Sequence, residues 1–176
     1  MILGLDISTS ITGYTIIHDG KLIKIGAWDT RNKNKFPTLF DKAEFIRKDL
    51  KKLQKIHKIN EIFIEQPFAF FKSGGSTAKT MATLQKYNGV VSWICYDVFG
   101  IQPRYFTAQQ ARKMCGIKIP RGENAKKVVL QFVLDNEPTF KVEYTKFGNP
   151  KSECYDMADS IVIAKAGYTE CQRLKN

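Results

Sequence analysis

Ile2-Leu3-Gly4-Leu5-Asp6-Ile7-Ser8-Thr9-Ser10-Ile11-Thr12-Gly13-Tyr14-Thr15-Ile16-Ile17-His18-Asp19-Gly20 reads as strand, small-residue turn, strand and hairpin corner. The first strand spans Ile2 to Ile7. Side chains alternate across a strand, so Leu3, Leu5 and Ile7 share one face while Gly4 and Asp6 share the other. Ser8 to Thr12 makes the turn and Gly13 to His18 the second strand. Asp19-Gly20 is a strong two-residue hairpin signal, because the favoured turn needs positive φ at both central positions. Leu22 to Trp28 then returns as a third strand.

Downstream the period changes. Thr30 to Lys35 is a polar, basic loop. From Pro37 onward, Leu39, Ala43, Ile46, Leu50, Leu53 and Ile56 recur at three- and four-residue steps, the stripe of an amphipathic helix. Lys48, Lys51, Lys52 and Lys55 occupy its other side. Glu61 to Gln66 is a short strand stopped by Pro67, and Gly74-Gly75 marks a loop before a helix expected over Thr77 to Val98. Pro103 to Thr107 is a further strand, followed by a short helix at Ala108 to Cys115 and a basic loop at Gly116 to Gly122. A helix is expected at Glu123 to Leu134, a longer loop at Asn136 to Lys151, and a last helix at Glu153 to Ala166. Repeats, low-complexity tracts and linkers are absent, so a single domain over residues 1–176 is expected. Three hairpin-linked strands followed by alternating helices and strands define a mixed α/β sheet with helices on its faces.

Within 176 residues, 28 Lys and Arg stand against 17 Asp and Glu, a net charge of +11. Such an excess favours a polyanionic partner, because protein cations displace counterions condensed on a phosphate backbone. An anionic membrane surface would attract it too, but Gly89 to Val98, the most apolar later stretch, is too short to span a bilayer and is interrupted by Ser92 and Asp97. Met1 to Asp6 lacks the basic lead of a secretory leader. Cys95, Cys115, Cys154 and Cys171 form no Cys-x-x-Cys pair and lie away from His18 and His57, which argues against zinc. Scattered cysteines of this kind read as reduced thiols, so a cytoplasmic location is expected.

The acids carry the chemistry. Asp6 ends an apolar strand, where an ionised carboxylate is expensive unless paired or metal-bound; taken alone, it equally suits a cap for the Ser8-Thr9 turn. Glu65 ends Glu61-Ile62-Phe63-Ile64-Glu65 just before Pro67, at the kind of strand end where α/β sites form, although a surface-edge Glu is equally ordinary. Asp156 and Asp159 are spaced i, i+3 and share a helix face that continues through Val162, Ile163 and Ala166. Acids in a first helical turn also complement the helix dipole. Together, four carboxylates at two strand ends and on one inward helix face would repel one another, and divalent cations relieve that repulsion. Oxygen-only ligands suit Mg²⁺ or Mn²⁺. Two such ions about 3.5–4 Å apart would activate a water and stabilise the leaving oxygen in phosphodiester hydrolysis.

In order and spacing, Gly4-Leu5-Asp6-Ile7-Ser8-Thr9-Ser10-Ile11-Thr12-Gly13-Tyr14, Ile64-Glu65-Gln66-Pro67-Phe68 and Asp156-Met157-Ala158-Asp159-Ser160 resemble the RuvC-type Holliday-junction resolvases, a branch of the ribonuclease-H-like superfamily. The resemblance implies a mixed five-stranded sheet flanked by helices, and an endonuclease that cuts four-way DNA junctions with Mg²⁺, rather than an enzyme for a small molecule. It implies metal binding by Asp6, Glu65, Asp156 and Asp159, and a homodimer. It also implies that Phe68 packs on bases at the junction centre and that Lys126 contacts the scissile phosphate, with Lys127 adjacent and Arg112 or Lys113 as an earlier partner. Lys72, Lys79, Lys118 and Arg121 suit backbone contacts, which give affinity without base specificity. The stripe Met81, Leu84, Tyr87, Val91 and Ile94 is the candidate dimer surface, with plain core as the more ordinary role of such a stripe. The aromatic run Phe68-Ala69-Phe70-Phe71 and the long Asn136 to Lys151 loop depart from the bacterial pattern and suit a divergent phage, viral or organellar-type member. Those loops leave forks, flaps and structured RNA open as substrates, and a non-catalytic branched-DNA-binding module is the alternative without chemistry. An actin-like or sugar-kinase-like ATPase shares the strand-turn start but needs two such domains.

Overall fold

The computed structural model describes residues 1–67 and 78–174. β1 (Ile2–Asp6) pairs antiparallel with β2 (Ile11–His18), and β2 with β3 (Lys21–Asp29). Asp19 and Gly20 take φ of 49° and 76°, the left-handed pair that closes a two-residue hairpin. The chain crosses through α1 (Leu39–Ile56) to β4 (Glu61–Glu65), which lies parallel to β1 in the register Leu3–Ile62 to Leu5–Ile64. After α2 (Ala78–Phe99), β5 (Arg104–Phe106) adds parallel to β4, giving the order β3-β2-β1-β4-β5. The remaining helices are α3 (Ala108–Met114), α4 (Ala125–Asn136) and α5 (Ser152–Arg173).

The alternation along β1 sorts the two faces. Leu3, Leu5 and Ile7 enter a core with Ile62, Ile64 and the inner residues of α1 and α2. Within it, Ala43, Ile46, Leu50 and Leu53 of α1 are buried, each large side chain contributing roughly 1.5–3 kcal/mol. A capping box starts this helix: Asp41 N donates to Thr38 Oγ1 while Asp41 Oδ2 accepts from Thr38 N. Ile56, the last residue of the expected stripe and of the helix, is exposed instead.

On the opposite face, α5 lies along β1 and β2, with α3 and α4 packed against it. The last helix runs seven residues further than its sequence pattern suggests, through Gly167 to Arg173. Gly167 is there for closeness rather than for a stop: a Cβ would stand 2.3 Å from the Phe63 ring. α4 begins two residues later than expected, behind Asn124, whose side chain accepts from Lys127 N.

At Tyr87, Val91 and Ile94 the α2 stripe is core, the more ordinary of its two readings, and not a dimer surface: these side chains are buried against α1 and the sheet of the chain itself. The side of α2 left in solvent carries Trp93 and Tyr96 instead. Among the described residues no disulfide forms, and burial pushes the Cys95 thiol up to about 12, as suits core filling. No described helix is long and apolar enough to cross a membrane.

Candidate active site

One residue beyond the last parallel pair, Leu5–Ile64, stand Asp6 and Glu65. Strand parity puts both on the α5 face, with Gly4 and Phe63 two residues before them. β4 is an interior strand, so Glu65 is not an edge residue. Nor is Asp6 needed to cap its turn among the described contacts. Ser8 Oγ donates to Ile11 O at 2.7 Å and accepts from Ile11 N at 3.0 Å, and Thr12 Oγ1 accepts from Ser8 N. Lys42 Nζ and Thr30 Oγ1 hold the Thr9 and Ser10 carbonyls from outside.

Two glycines let α5 reach these strand ends. Gly13 pairs with Asp6 across β1 and β2, and a Cβ on it would lie 2.0 Å from Asp156 O. A Cβ on Gly4 would meet Ala164 N at 2.6 Å. Between them Thr15 Oγ1 and Ser160 Oγ share a buried hydrogen bond of 2.7 Å, and Ser160 Oγ also donates to Met157 O. The helix therefore sits with its backbone on the sheet, and Asp156 and Asp159 point at Asp6. Since α5 starts at Ser152, both lie beyond its first turn; the acid that complements the dipole there is Glu153.

One carboxylate oxygen each from Asp6, Asp156 and Asp159 lies within 4.8 Å of the other two. Glu65 falls outside that triangle but within its field. Burial, then the charges of Glu65, Asp159 and Asp156, raise the Asp6 carboxyl well above the usual range. Burial and Asp159 push Glu65 up to about 7, burial lifts Asp159 to about 6, and burial raises Asp156 as well. Lys126, on the first turn of α4, donates to Asp156 at 2.9 Å and stands 3.7 Å from Asp159. Burial disfavours its ammonium, yet the Asp156 hydrogen bond and the charges of Asp156, Asp159 and Asp6 outweigh that and hold its pKa above normal. An all-oxygen donor set whose mutual repulsion Lys126 only partly offsets fits hard divalent cations.

The other expected contacts separate. Arg112 lowers the pKa of both Glu65 and Asp159, so it borders the acids. With Lys113, Lys118, Gln109 and Ile117 it lines a cavity of about 460 Å³. Lys127 is exposed beside Lys126, Arg121 is exposed in the loop before α4, and Lys79 is exposed on the first turn of α2. Phe68 and Lys72, with the Gly74-Gly75 loop, lie outside the described residues.

Sequence reasoning passed over two supports. Arg31 Nη2 joins Asp29 and Glu153, each at 2.6 Å, and Nη1 donates to Ser152 at 3.0 Å, fastening the start of α5 to β3. Asn88 Nδ2 donates to Glu65 O at 3.2 Å, tying the end of β4 to α2. Neither has a local signal: Arg31 sits in a run of polar residues, and Asn88 interrupts an apolar helix face.

No protein-family model matches the chain, and no curated protein matches it. Solved structures do. Thermus thermophilus RuvC in complex with a Holliday junction substrate aligns at TM-score 0.65 and 13% identity over 98% of this chain and 94% of that one. A second structure of Thermus thermophilus RuvC aligns at 0.63 and 13%, over 98% and 95%. The mixed five-stranded sheet with helices on both faces is thus a ribonuclease-H-like α/β fold. Within that class it is the RuvC-type fold, also seen in the yeast mitochondrial Holliday junction resolvase Ydc2, at TM-score 0.61 and 14% identity over 99% of this chain and 80% of that one.

Proposed function

We propose that the chain is a metal-dependent endonuclease that cuts branched DNA, with the four-way junction as its substrate. The observation that carries this reading is the meeting of Asp6, Asp156 and Asp159 within 4.8 Å, on a fold otherwise similar to junction resolvases. Asp6, Asp156 and Asp159, with Glu65 beside them, would hold Mg²⁺ or Mn²⁺, two ions in all. When bound, such ions supply Lewis acidity and a water acidic enough to attack a phosphodiester. The chain's own groups do the rest. Lys126 offsets part of the acidic charge and is the cation at hand for a phosphate oxygen of the strand. Arg112, Lys113 and Lys118, with Arg121 and Lys127, attract the backbone by charge and fix its path without reading bases. Resolution of a junction needs two opposed cuts and hence two copies of the site. The exposed aromatic side of α2, Trp93 and Tyr96 with Phe40 of α1, suits a second copy.

The test is cleavage in Mg²⁺ of four-way junction, fork, flap, linear duplex and structured RNA. Symmetric nicks in opposed junction arms support the reading. Loss of contacts one shell away from a metal already costs about 10–100-fold, so Asp6→Asn is expected to lower cutting by more than about a hundredfold. Junction binding should persist or tighten slightly, since one negative charge is gone. Cutting at the normal rate by Asp6→Asn would remove the site assignment, and preferential cutting of RNA would remove the substrate.

A further inference from the structure

Residues 143–151 close into an ordered hairpin that the acidic site does not use. Tyr144 bridges Pro150 in antiparallel fashion. Thr145 N donates to Asn149 O at 2.8 Å, Gly148 N to Thr145 O at 3.0 Å, and Lys151 N to Glu143 O at 2.8 Å. Gly148 supplies the left-handed corner with φ 78°, and Lys151 Nζ pairs with Glu143 at 2.6 Å across the base. At the tip Phe147 is 79% exposed, more than any other large hydrophobic side chain among the described residues, and Tyr144, at the bridge to Pro150, is also exposed. Lys146 Nζ stands 5.0 Å from the Phe147 ring centroid, and Lys141 is exposed nearby in the chain.

Single exposed apolar residues are ordinary. Here, however, two aromatics ride on a turn fixed by its own hydrogen bonds and flanked by lysines, so the rings are presented rather than left over. The position matters as much. The hairpin feeds directly into α5, and Asp156 follows five residues after Lys151, on the order of 7 Å along the helix axis. Four extended residues from Lys151 to Phe147 reach at most roughly 13 Å. The tip is therefore within about 20 Å of the acids, at most about six nucleotides of strand at about 3.4 Å per step.

We propose that this hairpin is a base-stacking element, in which Phe147, backed by Tyr144, takes the face of an unpaired DNA base near the branch while Lys146 holds the neighbouring phosphate. The proposal rests on the branched-DNA reading given above. Bases inside an uninterrupted duplex already stack on one another and offer the ring no free face. A branch point exposes such faces, and stacking accepts any base. Charge alone attracts both forms of DNA; the hairpin supplies a preference for the branched one.

Binding of an immobile four-way junction and of a duplex of equal length, measured on the full chain without divalent ions, tests this. Phe147→Ala should weaken junction binding about ten- to a hundredfold, as expected for losing one stacked base, and leave duplex binding nearly unchanged. Phe147→Trp should restore the junction preference. A 2-aminopurine at the branch should lose its protein-induced fluorescence change in Phe147→Ala and keep it in Phe147→Trp. Lys146→Ala should reduce the salt dependence for both DNAs by about one counterion. Equal losses on both DNAs with Phe147→Ala, no loss on either, or a loss that tracks dissociation of a dimer would each overturn the assignment. If the wild-type chain prefers and cuts junctions while Phe147→Ala matches it, the hairpin assignment alone falls. If the wild type shows no preference for the junction over duplex, the branched-DNA reading falls with it.

Discussion

At the scale of single residues, an ionised Glu65 gives up hydration at a strand end and gains a like-charged neighbour in Asp159, so its pKa is pushed up to about 7. Folding therefore takes up protons at this position. A group whose folded pKa lies above its unfolded one favours folding below the unfolded pKa, and that contribution is lost as pH rises from roughly 4.5 to 7. The exposed acids Asp29, Asp41 and Glu143 are shifted down by hydrogen bonds and act in the opposite sense. Comparison with a variant isolates the one position. Glu65→Gln imitates the protonated side chain, so without metal it should match the wild type at about pH 4 and exceed it by on the order of 1–3 kcal/mol at about pH 8. Urea denaturation at the two pH values reads this directly. Saturating Mg²⁺ should close the gap by stabilising the wild type. A pH-independent difference would mean that Glu65 does not carry the charge assigned to it. Stability surrendered at these acids is the cost expected of the cation site proposed above.

At the scale of elements, the site depends on how near α5 lies to the sheet. The order and spacing of Asp6, Glu65, Asp156 and Asp159 were legible because strand alternation and the i, i+3 rule are local: they put each acid on a face before any packing is known. What stayed hidden was set by contacts between distant residues. Gly13 looks like the start of a strand, but its lack of a Cβ is what admits the Asp156 carbonyl. The last helix was expected to end at Ala166, yet Gly167 makes room for Phe63 inside a continuing helix. The apolar stripe of α2 was legible as a stripe, but whether it faces the chain's own core or a second copy depends on where α1 and the sheet lie. Lys126 and Asp156 are 30 residues apart, and no local pattern announces their ion pair. The Gly13 contact yields a test at this scale. In Gly13→Ala the new methyl meets backbone, which cannot rotate away, so α5 must shift. Overpacking of this kind costs about 1–3 kcal/mol. Cleavage should fall by much more than the folded fraction does, because Asp156 moves relative to Asp6. If the folded variant, monitored by circular dichroism, cuts at the wild-type rate, then close seating of α5 does not set the geometry of the acids.

At the scale of the whole molecule, a net charge of +11 favours polyanions but does not by itself supply the second site that the proposed pair of cuts needs. Pairing requires a second copy, and the groove between α1 and α2 has the features of a self-complementary patch. Phe40 is 76% exposed and Trp93 56% exposed beside it. Gly89 opens the middle of α2, with nothing within 4 Å of where its Cβ would be. Both signs of charge border the groove, through Glu44, Arg47 and Lys86, as a two-fold interface needs when one patch meets itself. Arg47 lies 5.2 Å from the Trp93 ring centroid and bonds Asp97 at 2.8 Å, which holds the indole in place. A buried aromatic at the centre of an interface is worth at least about 2 kcal/mol when it is lost. Trp93→Glu, which adds charge as well, should therefore weaken self-association by more than about thirtyfold. Sedimentation equilibrium should find the wild type as a dimer and the variant as a monomer, with unchanged helix content. On four-way junctions the monomer should still nick, since Asp6, Asp156 and Asp159 come from one chain, but the two opposed cuts should become uncoupled in time. A wild type that sediments as a monomer at all accessible concentrations would exclude this interface, and coupled cuts by a monomeric Trp93→Glu would exclude the need for it.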